Sequence, residues 1–121
     1  MIIKLNESKY NKEILNATLA YLNKNYGDNP DYRFSIARDE SGTACIKLED
    51  YAHNLGFRNI EPDYSTGRRH SWRFSSTLRR IIDALKSDVS QEIGFDCYGE
   101  PDDDNSDYER IAYVLIYPSF N

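Results

Sequence analysis

A short segment near the middle of the chain, residues 68–73, combines cationic side chains with an aromatic ring. It reads Arg68-Arg69-His70-Ser71-Trp72-Arg73. Guanidinium groups neutralise phosphate oxygens, and an indole ring can stack on an unpaired base. This mixture predicts nucleic-acid contact through Arg68, Arg69, His70, Trp72 and Arg73. The alternative interpretation is that these arginines pair with carboxylates of the protein itself or are simply solvated.

Two further arginines, Arg79 and Arg80, follow in a segment whose apolar residues recur at helical spacing. We expect both side chains to lie on or beside the solvent-facing surface of that helix. There they would reach the same ligand as residues 68–73. Because Asp83 follows Arg79 by four positions, an ion pair within the helix is the alternative.

Charge is segregated along the chain, although the net charge is only -5. Seven basic and three acidic residues lie between Arg58 and Lys86. Nine acidic residues and a single basic one lie between Ser87 and Arg110. A basic stretch is therefore followed by a strongly acidic one, which makes binding of nucleic acid by the whole surface unfavourable but leaves it open to a local patch.

The acidic segment over residues 100–107 allows three interpretations. Its carboxylates could bind a hard cation, but the EF-hand pattern fails because the required glycine and final glutamate are absent. It could imitate a phosphate backbone and enter a basic groove of a nucleic-acid-handling protein. It could also be a solvated hairpin tip that opposes aggregation. The second interpretation assigns protein contacts to Asp102, Asp103, Asp104 and Asp107.

Motifs for catalysis are missing from the sequence. Only His53 and His70 would titrate near neutral pH, and no nucleophile elbow, phosphate-binding glycine loop, metal-ligand spacing or dinucleotide fingerprint occurs. We expect no enzymatic activity, no cofactor and no metal; a small nuclease built on His70 is the enzymatic alternative. Two cysteines favour a reducing cytoplasm. No apolar run approaches the ~20 residues of a membrane span.

The length of 121 residues predicts one domain over 1–121. Apolar periodicity predicts helices over 9–26, 47–55 and 75–87, the last capped by Ser75 or Ser76. Alternation predicts a strand over 32–37, with 43–46 as a short partner. It also predicts a hairpin of 93–98 with 108–117, whose second strand is apolar on both faces and therefore central. Residues 57–73 show no clean period, and a one-turn helix over 66–72 is one option.

This order of elements resembles the winged helix-turn-helix family. The residues that carry the resemblance are Ile46-Lys47-Leu48-Glu49-Asp50-Tyr51-Ala52-His53-Asn54-Leu55-Gly56-Phe57. It implies an α+β fold in which 75–87 is the recognition helix and 93–117 is the wing. A different α+β sandwich is the alternative.

Two functions remain open at this point. The first is a small non-enzymatic protein, of the kind encoded by a phage or mobile element, that binds nucleic acid or a nucleoprotein, with DNA favoured over RNA. The second is an acidic inhibitor, such as an immunity protein or a phage-encoded blocker of a bacterial defence nuclease, that binds a basic nucleic-acid-handling protein by mimicry. The ten tyrosines suit either interface. Nothing in the sequence indicates an oligomeric state.

Overall fold

The computed structural model describes the backbone of residues 2–63, 67–101 and 108–119, and the side chains of 12–57, 73–99 and 110–118. Over these residues the predicted α+β class is confirmed, with two helices and one six-stranded antiparallel sheet. In chain order the elements are α1 (Ile2–Tyr26), β1 (Tyr32–Arg38), β2 (Ala44–Asp50), β3 (Gly56–Asp63), β4 (Gly67–Phe74), α2 (Ser76–Asp88), β5 (Glu92–Pro101) and β6 (Tyr108–Ser119).

Strand β6 is the centre of the sheet. Strand β5 pairs with it from Glu92↔Ser119 to Pro101↔Glu109. On the other side of β6, β2 pairs with residues 113–116 and β3 with residues 108–110. Strand β1 flanks β2, and β4 flanks β3. The hairpins β1–β2 and β3–β4 therefore lie one after the other beside the same strand, which confirms that β6 is central.

A bulge in β6 decides which of its residues share a face. Tyr98 pairs with Tyr113 and Gly99 pairs with Ile111, so Ala112 has no partner on β5. The extra residue reverses the alternation of β6 at that point. As a result Arg110 and Tyr113 lie on one face, whereas the fully buried Ile111 lies on the other with Val114.

Both helices cover the same face of the sheet. The strands contribute Phe34, Ile46, Leu48, Val114 and Ile116 to a buried core, together with apolar residues of the helices: Leu15, Leu22, Leu78, Ile81, Ile82 and Leu85. No described helix covers the other face, which we call the helix-free face. Directly paired residues project to the same side, so this face includes Phe57, Arg73, Arg110, Lys47, Tyr113 and Tyr98.

Most of the periodic segments fold as predicted. Helix 9–26 is confirmed as part of α1, and helix 75–87 as α2, capped by Ser75, whose hydroxyl accepts the Leu78 N–H at 3.1 Å. The predicted strands over 32–37 and 43–46 form the paired β1 and β2. The hairpin of 93–98 with 108–117 is confirmed as β5 and β6.

The predicted helix over 47–55 is wrong. Residues 47–50 continue β2, and residues 51–55 form a turn. The helical spacing of Leu48, Tyr51, Ala52 and Leu55 is real, but Ile46 and Leu48 also alternate inward and are fully buried. Pairing with strands on both sides stabilises the strand over the helix, and local periodicity does not report that pairing.

The segment 57–73 is a hairpin, not an irregular connection or a one-turn helix over 66–72. Strands β3 and β4 pair from Gly56↔Phe74 to Asp63↔Gly67. Charged and polar residues occupy successive positions here, as in Arg68-Arg69-His70. The apolar alternation by which strands are recognised is therefore absent.

Candidate functional site

The connection from β2 to β3 is held by a buried carboxylate. Asp50 is only 2% exposed, and its oxygens accept the Ala52 N–H at 2.9 Å and the Asn54 N–H at 3.0 Å. His53, within this turn, takes a left-handed backbone conformation with φ 53°. Asp50 thus accepts hydrogen bonds from two backbone N–H groups of the turn between β2 and β3. After this turn, β3 pairs with β6.

Gly56 allows the chain to return to the sheet. Its φ is +135°, and a Cβ built on it would lie 2.1 Å from the Arg73 carbonyl oxygen and 2.9 Å from the Phe74 Cα. Both the torsion and the close backbone approach require glycine at this position. Gly56 therefore fixes β3 tightly against β4 and sets the position of the next residue, Phe57.

A row of three residues crosses the helix-free face where β3 begins. Phe57 pairs with Arg73 on β4 and with Arg110 on β6. Arg73 and Arg110 are exposed, and Phe57 retains 39% of its accessible surface. The row thus presents an accessible aromatic ring flanked by two guanidinium groups.

A cavity of about 500 Å³ adjoins this row. The row supplies three of its residues, and the β2–β3 turn supplies His53 and Asn54. Among the described residues that line it, none is acidic: His53, Asn54, Gly56, Phe57, Arg73, Phe74, Ser75 and Arg110. In a chain of net charge -5 this is a local concentration of positive charge, and it suits an anionic ligand.

His53 carries a buried polar atom at the edge of this cavity. Its Nδ1 atom is inaccessible to solvent and has no hydrogen-bond partner within the described part of the chain. Buried polar atoms are normally paired.

Of the basic residues selected from the sequence, the three whose side chains the structure describes do not lie on one surface. Arg73 lies on the helix-free face, whereas Arg79 and Arg80 are exposed on α2, which packs on the other side of the sheet. The remaining members lie on β4 opposite residues of β3: Arg68↔Pro62, Arg69↔Glu61, His70↔Ile60 and Trp72↔Arg58. The side chains of these four lie outside the described residues.

Asp102, Asp103, Asp104 and Asp107 lie outside the described residues. Among the described histidine, cysteine, aspartate and glutamate side chains, no group of three or more could hold a metal ion.

Phe57 and Arg110 were not selected from the sequence. They are 53 positions apart and meet only through the pairing of β3 with β6. The one available signal is that Arg110 is the single basic residue in the acidic stretch 87–110. That signal gives no indication of its neighbour.

Comparison with protein-family models, curated proteins and solved structures gives no match. Neither helix, over the residues described, has both the length and the apolar character needed to cross a membrane.

Proposed function

We propose that this protein binds single-stranded nucleic acid on its helix-free face and does not alter it chemically. The observation that carries the proposal is the row in which Phe57 lies between Arg73 and Arg110. Its aromatic ring would stack on a base, and the two guanidinium groups would contact the phosphates on either side of that base.

The exposed ring favours a single strand over a duplex. Within a duplex both faces of each base are already stacked on neighbouring bases, so Phe57 would have no base face to bind. Proteins that bind unpaired strands present aromatic side chains for this purpose, within grooves of positive charge. DNA and RNA offer the same base faces and phosphates, so the titration described below compares the two and tests the expectation that DNA is preferred.

The proposal locates contact on the sheet and not on a recognition helix. The winged-helix resemblance implied contact through 75–87, the segment that folds as α2. Residues 46–57, which carried that resemblance, form the end of β2, the turn and the start of β3. They contribute Phe57 and the cavity-lining turn to the site proposed here.

The test is a fluorescence anisotropy titration of labelled single-stranded DNA, single-stranded RNA and duplex DNA at low salt. We expect the wild-type protein to bind the single strands more tightly than the duplex. Phe57→Leu should weaken that binding about tenfold, because stacking on one base is lost. The role of charge is tested with two double variants. One carries Arg73→Ala and Arg110→Ala, and its matched control carries Arg79→Ala and Arg80→Ala. Only the first pair should weaken binding.

Two results would overturn the proposal. One is an equal or greater loss in the α2 pair, which would place the ligand on the helix side. The other is no binding by the wild-type protein even at low salt. The second result would favour the inhibitor hypothesis, which rests on Asp102, Asp103, Asp104 and Asp107. A basic nucleic-acid-handling protein would then be the partner to test.

A further inference from the structure

A second aromatic feature lies on the helix-free face, on β5 and β6. The rings of Tyr98 and Tyr113 stack with their centroids 4.9 Å apart and an interplanar angle of 19°. The Lys47 Nζ lies 4.5 Å from the centroid of Tyr113. Offset stacking and the cation–π contact each hold these side chains in place. The pair is therefore a fixed surface on the sheet.

The two neighbours of Tyr113 approach from opposite sides. Lys47 belongs to β2 and Tyr98 to β5, and these strands flank β6 on its two edges. Tyr113 thus has a contact with each of the two neighbouring strands. Tyr98 is partly exposed and lies on the strand whose outer edge has no partner among the described residues.

Tyr98 and Phe57 lie on the same face at a defined separation. Position 100 on β5 pairs with Arg110, which in turn pairs with Phe57, and Tyr98 lies two residues before position 100. Two strand spacings of ~4.8 Å and a two-residue rise of ~7 Å put the two Cα atoms roughly 12 Å apart. This exceeds the ~3.4 Å rise between neighbouring bases along one strand of a duplex.

Charge indicates where the backbone of a ligand would run between the two rings. Lys47 and Arg110 lie on β2 and β6, whereas Asp96 is exposed on β5 opposite Leu115, and Glu49 lies opposite Tyr113. Three further acidic residues belong to this region: Glu100 pairs with Arg110, and Asp39 and Glu40 interact electrostatically with Tyr98. Phosphates near Asp96 or Glu49 would be repelled. The backbone is therefore expected to cross from the Arg73–Phe57–Arg110 row toward Lys47, with a base directed outward to Tyr98.

From this arrangement we infer that Tyr98 is a second base-stacking site and that the ligand is an unstacked single strand of at least three nucleotides, with non-adjacent bases on Phe57 and Tyr98. The inference rests on the proposed function and adds to it a minimum length and a path. Tyr113 and Lys47 act as positioning residues, because they support the ring of Tyr98 and do not themselves supply the stacking face.

The test is a length series of oligothymidylates from two to eight nucleotides, each competing with a labelled eight-nucleotide probe. For the wild-type protein, affinity should rise steeply between two and four nucleotides, as the second ring is reached. Tyr98→Leu should weaken binding of the eight-nucleotide strand about tenfold and leave the dinucleotide unchanged. Phe57→Leu should weaken binding at every length. Tyr98→Phe keeps the ring and should bind as the wild type does.

The outcomes separate this inference from the proposed function. If Phe57→Leu weakens binding and Tyr98→Leu does not, the second site is wrong and the first stands. Equal losses in Tyr98→Phe and Tyr98→Leu would show that the hydroxyl group, and not stacking, is responsible, which would also overturn the inference. If the wild-type protein binds none of the oligonucleotides, the proposed function and the inference fail together.

Discussion

Arg73 and Arg79 are six positions apart in the chain, yet they lie on opposite sides of the sheet. Phe74, which follows Arg73, packs toward the helices with its ring centroid 5.0 Å from that of Phe95. Arg73 therefore projects to the helix-free face beside Phe57. Arg79 is exposed on α2, over the covered face. Two basic groups that look continuous in the sequence thus belong to different surfaces.

This separation predicts different salt dependences for variants at the two positions. A plot of log affinity against log salt concentration has a negative slope for a single strand. Arg73→Ala should make that slope shallower by about 0.7, since one phosphate contact is lost. Arg79→Ala should leave the slope unchanged. The measurement is the anisotropy titration repeated at three salt concentrations. An equal decrease in both variants would mean that the ligand contacts α2.

Asp96 should oppose binding. Its exposed carboxylate lies on β5 beside the proposed path, where it repels phosphate. Asp96→Asn is therefore expected to bind single strands about twofold more tightly at low salt, an advantage that added salt removes by screening. Asp83→Asn, which removes an exposed charge on α2, is the matched control and should bind as the wild type does. Weaker binding by Asp96→Asn would contradict the path.

Gly56 should be intolerant of any side chain. Its φ of +135° and the 2.1 Å approach of a built Cβ to the Arg73 carbonyl oxygen mean that backbone must move to admit alanine. We expect Gly56→Ala to lower the free energy of unfolding by roughly 2–4 kcal/mol. Gly94→Ala is the control, because no atom lies within 4 Å of its Cβ position, and its effect should stay within about 1 kcal/mol. Urea unfolding followed by circular dichroism measures both; similar stabilities would refute this account.

The contact between Tyr21 and Asp88 should make stability depend on alkaline pH. The Tyr21 hydroxyl donates a hydrogen bond of 2.7 Å to Asp88 Oδ2, linking α1 to the end of α2. That hydrogen bond, with smaller contributions from burial and from the charge of Asp88, raises the pKa of Tyr21 from 10.0 to about 12.

Because the pKa is higher in the folded state, the stabilisation is fully present below pH 10.0 and is lost as the pH rises toward about 12. Tyr21→Phe should therefore be less stable than the wild type at pH 8 and equal to it near pH 12. Urea unfolding midpoints across this range test the prediction. A difference that stays constant with pH would show that the hydrogen bond does not contribute.

The elements that sequence predicted well are those whose local pattern agrees with their environment. Helix α2, which is capped by Ser75, has one apolar stripe, and all four of its residues are buried: Leu78, Ile81, Ile82 and Leu85. In β6, residues 111–116 are apolar on both faces, and the strand is paired on both edges as that pattern predicts. Periodicity is sufficient here because burial follows it directly.

The remaining elements depend on pairing between distant segments. Leu48, Tyr51, Ala52 and Leu55 match a helix as well as a strand and turn, and only pairing of β2 with β1 and β6 decides between them. The candidate site also depends on pairing between distant segments. Phe57 and Arg110 become neighbours through strand register, which no local pattern encodes.

The most direct test of the central claim is a map of where a single strand binds. An ¹⁵N-labelled sample would be titrated with an eight-nucleotide oligothymidylate, and amide chemical shifts followed for each residue. The account predicts the largest changes at Phe57, Arg73 and Arg110 and around Tyr98 and Tyr113, with the amides of α2 unchanged. Changes concentrated at Arg79 and Arg80, or no changes at a saturating concentration, would contradict it.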